Sequence, residues 1–328
     1  MGEKYQLSDE FSLNQCSIEE FVKTWAVYSS FSVWDDFKTR KDIVMGFHVD
    51  NVKFYYYIWK NDMRIGGVVL KSNGLGHLFF EPPFVDYYSI IRLLVKLLRN
   101  ISDEKKTTYV FCIPPEYVDD FLRCGFYPNE TRRRMIRATE KFDVKWDKDL
   151  IVKIPEKQDV EQLAKTYLEA YSGSREEWLR SQEGLGKEVK NSEKILKKYT
   201  EQLEYKEDTE YPFISEASTA IFSEIDGKQK LIGACLVAIW HENEPIVYEI
   251  FVAPEYQGKG LGTKMLKHAL TKLANKYDYL QLFVIKGNTS ESVYHNLGFK
   301  SLEEVSMLII PAKKHINNSN HVTSSEQR

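Results

Sequence analysis

The stretch Tyr248–Thr263, Y-E-I-F-V-A-P-E-Y-Q-G-K-G-L-G-T, is where residue types and spacing could do chemistry. A β-rich run ends at Val252, Pro254 marks a turn, and glycines at 258, 260 and 262 lead into an amphipathic segment carrying Met265, Leu266, Ala269, Leu270, Leu273 and Ala274. Glycine lets the main chain approach an anion closely and turn successive N–H groups toward it, and a helix start adds about half a positive charge. The chemistry this predicts is phosphate binding. The spacing matches neither G-x-G-x-x-G nor G-x-x-x-x-G-K-[ST], so dinucleotide and nucleoside triphosphate folds are poorly supported. On the strand itself Glu249 stands among Val247, Ile250, Phe251 and Val252. By strand alternation its side chain points opposite to Tyr248 and Ile250. A carboxylate in such a run either faces a cleft or pairs with a neighbouring lysine.

Gln257, Gly260 and Gly262 also form a Q-x-x-G-x-G pattern ahead of the long helix, and the later segment G-N-T-S-E-S-V-Y-H-N-L-G-F closes on Gly298-Phe299. On these motifs and on the order of strands and helices, residues Leu150 to Pro311 resemble the GNAT superfamily of N-acetyltransferases. The resemblance implies acetyl-CoA as the acyl donor. It places the pyrophosphate on the loop Gln257, Gly258, Lys259, Gly260, Leu261 and Gly262, with Thr263 adjacent. It places the pantetheine arm on main-chain groups of Ile250, Phe251 and Val252, with Asn288 nearby. Tyr294, four residues before Gly298, matches the family tyrosine that acts as general acid toward the departing thiolate. An attacking amine must be neutral, whereas a lysine-type ammonium is protonated at pH 7. A base is therefore required, either Glu249 or a water, and the amine is expected to attack the thioester directly.

Other residues of reactive type carry less. His241 and Glu242, with Trp240, end the preceding strand and could line an acceptor site, but a loop histidine is more often solvent-facing. Cys235, inside L-I-G-A-C-L-V, reads as a small buried core residue rather than a nucleophile. Cys16, Cys112, Cys124 and Cys235 are scattered without a C-x-x-C pair, which argues against a zinc site and a disulfide scaffold.

The elements that must position the loop alternate between strand and helix. Leu150–Ile154 reads as a strand and Val160–Tyr171 as a helix. Thr219–Glu224 and Lys230–Trp240 flank the turn Asp226-Gly227 as a hairpin, and Pro245–Val252 follows. A helix from about Gly260 to Tyr277, a strand Tyr279–Ile285, a helix Ser290–Leu297 and a strand Phe299–Ile310 complete the half. The charged stretch from Ser174 to about Glu207 reads as one or two amphipathic helices.

The N-terminal half repeats this order in weaker form. Val52–Lys60 and Met63–Leu70 flank Asn61-Asp62, then come a strand Gly76–Phe80, a helix Tyr87–Leu98, a strand Thr107–Ile113, a helix Glu116–Arg123 and a strand Phe126–Ala138. Y-V-D-D-F-L-R-C-G-F at Tyr117–Phe126 parallels S-E-S-V-Y-H-N-L-G-F at Ser290–Phe299, which indicates an internal duplication. Where the C-terminal copy has its glycine loop, this one has Glu81-Pro82-Pro83-Phe84-Val85-Asp86, with no glycine, two prolines lacking N–H donors and two acids. It should not bind CoA phosphates. Arg132-Arg133-Arg134 reads as a solvated strand edge before an anion site.

The expected fold is therefore α/β (α+β), with two tandem GNAT-like domains, each a mixed, mostly antiparallel twisted sheet flanked by helices. Residues 1–140 form the degenerate copy, 141–312 the catalytic domain and 313–328 a disordered tail. The 328 residues carry 45 Lys+Arg against 48 Asp+Glu, so no basic excess points to nucleic acid, and no apolar run points to a membrane. The chain reads as cytoplasmic, a monomer or homodimer, without metal. Its acceptor is a small-molecule or peptide amine, and the acidic run Glu201, Glu204, Glu207, Asp208 and Glu210 favours a cationic one. Two alternatives stay open: a non-catalytic acyl-CoA-binding or regulatory module, and a tandem GNAT enzyme using another acyl donor.

Overall fold

The computed structural model describes residues 3–28, 54–172, 200, 212–240 and 243–312. The stretch 174–199 and 201–211, His241 and Glu242, and the tail from 313 lie outside the described residues. The chain divides into two compact units, Met1–Arg133 with Glu303–Arg328, and Arg134–Leu302.

The first unit contains strands β1 (Lys4–Gln6), β2 (Phe11–Gln15), β3 (Tyr55–Lys60), β4 (Met63–Lys71), β5 (Gly74–Phe80), β6 (Thr108–Ile113) and the first part of β7 (Tyr127–Ala138). Its helices are α1 (Ile18–Tyr28), α2 (Tyr87–Ile101) and α3 (Pro115–Arg123). Elements β1, β2 and α1 were not legible in the sequence. The strands from β1 to β6 lie side by side in chain order, antiparallel except for the parallel pair β5 and β6. Beyond β6 lies the last strand of the chain, β13 (Lys300–Ile310), with Leu308 opposite Val110 and Ile310 opposite Thr108. Helix α2 forms because Ile90, Ile91, Leu94, Val95 and Leu98 recur at helical spacing, and all five are buried against this sheet.

The second unit contains β8 (Leu150–Lys153), β9 (Thr219–Ile225), β10 (Lys228–Trp240), β11 (Glu244–Val252) and β12 (Tyr279–Ile285), with the remainder of β7. They lie in the order β7-β12-β11-β10-β9-β8. The β9–β10 hairpin turns on Asp226 and Gly227, at φ 50° and 69°, the left-handed pair that matches strand twist. Helix α4 (Val160–Tyr171) packs on β10 and β11, and α5 (Leu261–Leu273) covers the sheet with Met265, Leu266, Ala269, Leu270 and Leu273, all buried with Cys235, Val237 and Val247. Burial of each such large apolar side chain contributes about 1.5–3 kcal/mol. Helix α5 stops at Leu273, short of Tyr277, because the N–H groups of Lys276 and Tyr277 both fold back on the Leu273 carbonyl at 2.9 Å. Helix α6 (Thr289–Asn296) leads into β13.

The duplication is visible in hydrogen bonds. At the end of α3, Phe126 N–H bonds the Phe121 carbonyl at 3.2 Å and Gly125 N–H that of Leu122 at 2.9 Å. At the end of α6, Phe299 N–H bonds the Tyr294 carbonyl at 3.0 Å and Gly298 N–H that of His295 at 2.9 Å. Gly125 and Gly298 sit at φ 85° and 89°, so both helices close in the same Schellman motif, which only a left-handed residue permits.

Candidate functional site

The glycine loop is held open at its centre and pinned at its edges. After β11 a 3-10 turn, Pro254–Tyr256, redirects the chain, and Gly258 and Gly260 follow at φ 73° and 77°. A side chain there costs about 1–2 kcal/mol. A Cβ placed on Gly258, Gly260 or Gly262 would meet no atom within 4 Å, so no neighbour demands glycine by crowding and the space above the loop is empty. Gly260 is the N-cap of α5, and Leu261, 3% exposed, anchors the first turn in the core. Lys264 N–H is the first to bond back, to Gly260 O at 3.0 Å. The N–H groups of Leu261, Gly262 and Thr263 precede the first helical bond and face outward as donors. Gln257 ties the loop to the strand end, its Nε2 donating to Val252 O at 3.0 Å. Lys259 Nζ lies over the Tyr256 ring, 4.6 Å from its centroid.

Strand β11 carries a bulge. Leu236 pairs with Glu249 but Val237 pairs with Val247, leaving Tyr248 as the extra residue. Leu236 and Val237 face opposite sides of the sheet, so Val247 and Glu249 do too. Val247 joins the core under α5. Half-buried Glu249 shares the other face with Phe251, whose ring meets Tyr167 of α4 edge-on at 5.7 Å. Ala253 N–H bonds Ile232 O at 2.8 Å, and ladder alternation then gives Phe251 the bonds to Ala234 while turning the N–H and C=O groups of Ile250 and Val252 away from β10. On that side β12 runs parallel, with Ile246 opposite Gln281, and no further ladder pair follows among the described residues toward the strand ends. Of the strand residues implied to hold pantetheine, Ile250 and Val252 thus point main-chain groups into the gap, and Phe251 points its own into the sheet. The carbonyls of both are engaged, Val252 by Gln257 and Ile250 by Tyr171 Oη at 3.3 Å. Tyr171 had no signal in the sequence, because its position at the end of α4 becomes meaningful only when α4 packs on β11.

Tyr294 is 7% exposed, in the core with α5 and edge-on to Phe299 at 6.0 Å. It therefore lies on the α5 side of the sheet and Glu249 on the α4 side. Asn288 caps α6: its Oδ1 accepts from Ser290 N at 2.9 Å and Ser290 Oγ at 3.0 Å. Cys235 is fully buried, and burial pushes its thiol up to about 12. Trp240 stands edge-on to Phe283 at 5.3 Å.

The corresponding region of the first unit is filled. Glu81 takes a bidentate pair from Arg64, at 2.5 and 3.1 Å, and Asp86 Oδ1 caps α2 by accepting from Ser89 N at 3.4 Å. Phe84, Tyr87 and Tyr117 cluster around Phe80 with ring centroids 4.8 to 5.5 Å from it, Tyr87 stacked, Phe84 tilted and Tyr117 edge-on. Of the three arginines, Arg132 is exposed as expected of a solvated edge, whereas Arg133 and Arg134 are half-buried. Arg133 Nε donates to Glu304 at 2.8 Å, Arg134 donates to Gln281 at 3.1 Å and Arg132 pairs with buried Glu130. Strand β7 is paired, and its cations are consumed locally.

Comparison with known proteins bears on this geometry. Residues 177–299 match the model of the acetyltransferase (GNAT) family. No curated protein matches the sequence significantly. Among solved structures, a GCN5-related N-acetyltransferase from Sphaerobacter thermophilus superposes with a TM-score of 0.62 at 12% identity, over 93% of this chain and 96% of its own. A GNAT-family acetyltransferase from Colwellia psychrerythraea gives 0.54 at 14% identity, over 90% and 98%. A tandem GNAT protein from the clavulanic acid biosynthesis pathway, solved without AcCoA, gives 0.53 at 10% identity, over 92% and 99%. At such identities the likeness is one of fold. Residues 177–299 thus match the model of the acetyltransferase (GNAT) family, and the chain has a tandem GNAT-type fold.

Proposed function

We propose that the chain is an N-acetyltransferase that moves an acetyl group from acetyl-CoA to a primary amine, and that the donor binds only in the second unit. Acyl transfer is the chemistry the family domain supports. The observation that carries the finer reading is the pair of left-handed glycines, Gly258 and Gly260, opening the first turn of α5 beside the outward main-chain groups of Ile250 and Val252. The residues present fit such a donor. Empty space lies above three glycines, the N–H groups of Leu261 to Thr263 suit a pyrophosphate, and a gap beside β11 suits an amide-bearing arm.

When bound, acetyl-CoA supplies an acetyl group activated as a thioester. Gln257, Gly258, Lys259, Gly260, Leu261, Gly262 and Thr263 hold its phosphates, and Ile250 and Val252 orient the arm, with Phe251 fixing the strand against α4. Glu249 or an ordered water removes the proton from the amine nitrogen. Tyr294 Oη delivers one to the departing sulfur. Asn288 acts by fixing the start of α6, the helix that carries Tyr294. The amine attacks directly, since Cys235 is buried and its thiol is held protonated.

All four cysteines are free, which suits a cytoplasmic chain. The acceptor is a small-molecule or peptide amine, and no metal takes part. Calorimetric titration of acetyl-CoA and desulfo-CoA into the full chain, and into a Gly260→Asp/Gly262→Asp variant, tests the reading. One site per chain, lost in the variant, is expected. Absence of binding overturns the enzyme reading, and two sites overturn the assignment of the donor to the second unit alone.

A further inference from the structure

Strands β11 and β12 form a V. Its open end carries the outward main-chain groups of Ile250 and Val252, and its closed end is one ladder pair among the described residues, Ile246 opposite Gln281. A single parallel pair fixes where a strand lies better than it fixes its angle. Ile250 is four residues beyond that pair, about 13 Å along the strand. Rocking by about 10° around the pair would move Ile250 by about 2 Å, more than a hydrogen bond tolerates.

Side chains add what the ladder lacks. Gln281 is fully buried, on the face of the sheet opposite α5, since Leu280 and Leu282 on either side of it join the core beneath that helix. Both ends of its amide are used: Nε2 donates to Glu244 Oε2 at 3.0 Å, and Oε1 accepts from Arg134 Nη1 at 3.1 Å. One step below, Tyr279 Oη donates to the other oxygen of Glu244 at 2.8 Å. Burial, with the bond to Glu244 adding to it, pushes this phenol up, so it stays a donor throughout the neutral range. Strands β7, β12 and β11 are neighbours in the sheet, so these four side chains clamp three strands at the level of the one ladder pair. A buried amide is tolerated only with its hydrogen bonds made, and Gln281 therefore holds Arg134 and Glu244 in one arrangement.

We propose that Gln281 is a positioning residue for the acyl donor: by joining Arg134 to Glu244 it fixes the angle between β11 and β12, and with it the main-chain groups of Ile250 and Val252 that receive the donor's amide-bearing arm. The inference rests on the donor reading above and deepens it. Gln281 acts through β11, because its own amide is spent on Arg134 and Glu244.

Calorimetric titration of acetyl-CoA into the full chain, run below the melting transition of every variant, tests it. Gln281→Glu sets a carboxylate oxygen against Glu244 Oε2, where two acceptors cannot bond, and Gln281→Met keeps the volume while breaking both bonds. Each should weaken acetyl-CoA about tenfold, the effect of one buried hydrogen bond. Combining Glu244→Gln with Gln281→Glu rebuilds the bonds with the roles reversed, the new amide donating to the new carboxylate, which still accepts from Arg134. This exchange should restore wild-type affinity. Lowering the pH should recover part of the loss in Gln281→Glu alone, as the facing carboxylates come to share a proton, and should not do so in Gln281→Met. Single variants that bind like the wild type, a pH-independent defect in Gln281→Glu, or an exchange variant that folds yet binds as weakly as Gln281→Glu each overturn the inference while the donor reading stands. If acetyl-CoA does not bind the wild type, the donor reading fails and this inference with it.

Discussion

The ring of Tyr294 stands edge-on to that of Phe299, with centroids 6.0 Å apart, at the close of α6. The first unit makes the same contact at the close of α3 with a ring that has no hydroxyl, Phe121 on Phe126 at 5.7 Å. The two pairs share one Schellman closure, so the ring serves the fold and the hydroxyl is what distinguishes the second unit. Tyr294→Phe keeps the ring contact with Phe299, and kcat should fall about 100-fold, the usual size of a lost general acid. A variant with full turnover would remove Tyr294 from the mechanism.

Gly260 and Gly262 should respond in opposite senses to the same change. At Gly260, φ 77° makes Gly260→Ala cost about 1–2 kcal/mol of stability. Gly262 has ordinary helical geometry and open space around it, so Gly262→Ala should stabilise by about 0.5 kcal/mol. Both should weaken acetyl-CoA binding, because each puts a methyl where phosphate must approach. Denaturation and calorimetry on the two variants check the signs, and a Gly262→Ala protein with unaltered donor affinity would move the phosphate away from this loop.

Thiol chemistry separates direct attack from a covalent route. Burial pushes Cys235 up to about 12, Cys112 to about 11 and Cys16 to about 12. At pH 7.5 the folded chain should react slowly with iodoacetamide at these three positions, and Cys235→Ala should retain turnover. Peptide mapping after timed alkylation reads the first expectation and steady-state kinetics the second.

His268 predicts an acid limb in stability. Burial, with Lys272 adding to it, lowers its pKa below 6.5 in the folded chain, and its ring lies against Trp146 at 6.2 Å. The unfolded state therefore binds the proton more readily. This contribution to stability is complete above pH 6.5 and is lost as pH falls through the lowered folded value. His268→Gln should flatten the drop in thermal midpoint between pH 7 and pH 5; an identical drop in the variant would assign it to other groups.

What could be read from the sequence alone was local. The loop and helix start at Gly258 to Thr263 declare themselves because left-handed main chain and an N-terminal turn are properties of a few consecutive residues. The repeated Gly-Phe closures are legible for the same reason, and most strands and helices follow from the period of their apolar residues. The helix-capping role of Asn288 and the tie from Gln257 to Val252 O depend on where side chains turn after the chain has folded. The bulge at Tyr248 follows from the register with β10, and it sends Val247 and Glu249 to opposite faces although they are two residues apart. The last strand shows the limit most plainly. Its alternation marks Phe299–Ile310 as a strand, yet nothing in that alternation says that Ser306–Ile310 will pair with β6 of the first unit. A strand's own residues determine that it is extended and which side is apolar. Its partner is settled by hydrogen bonds between distant segments, and those exist only once the whole chain has found its tertiary structure.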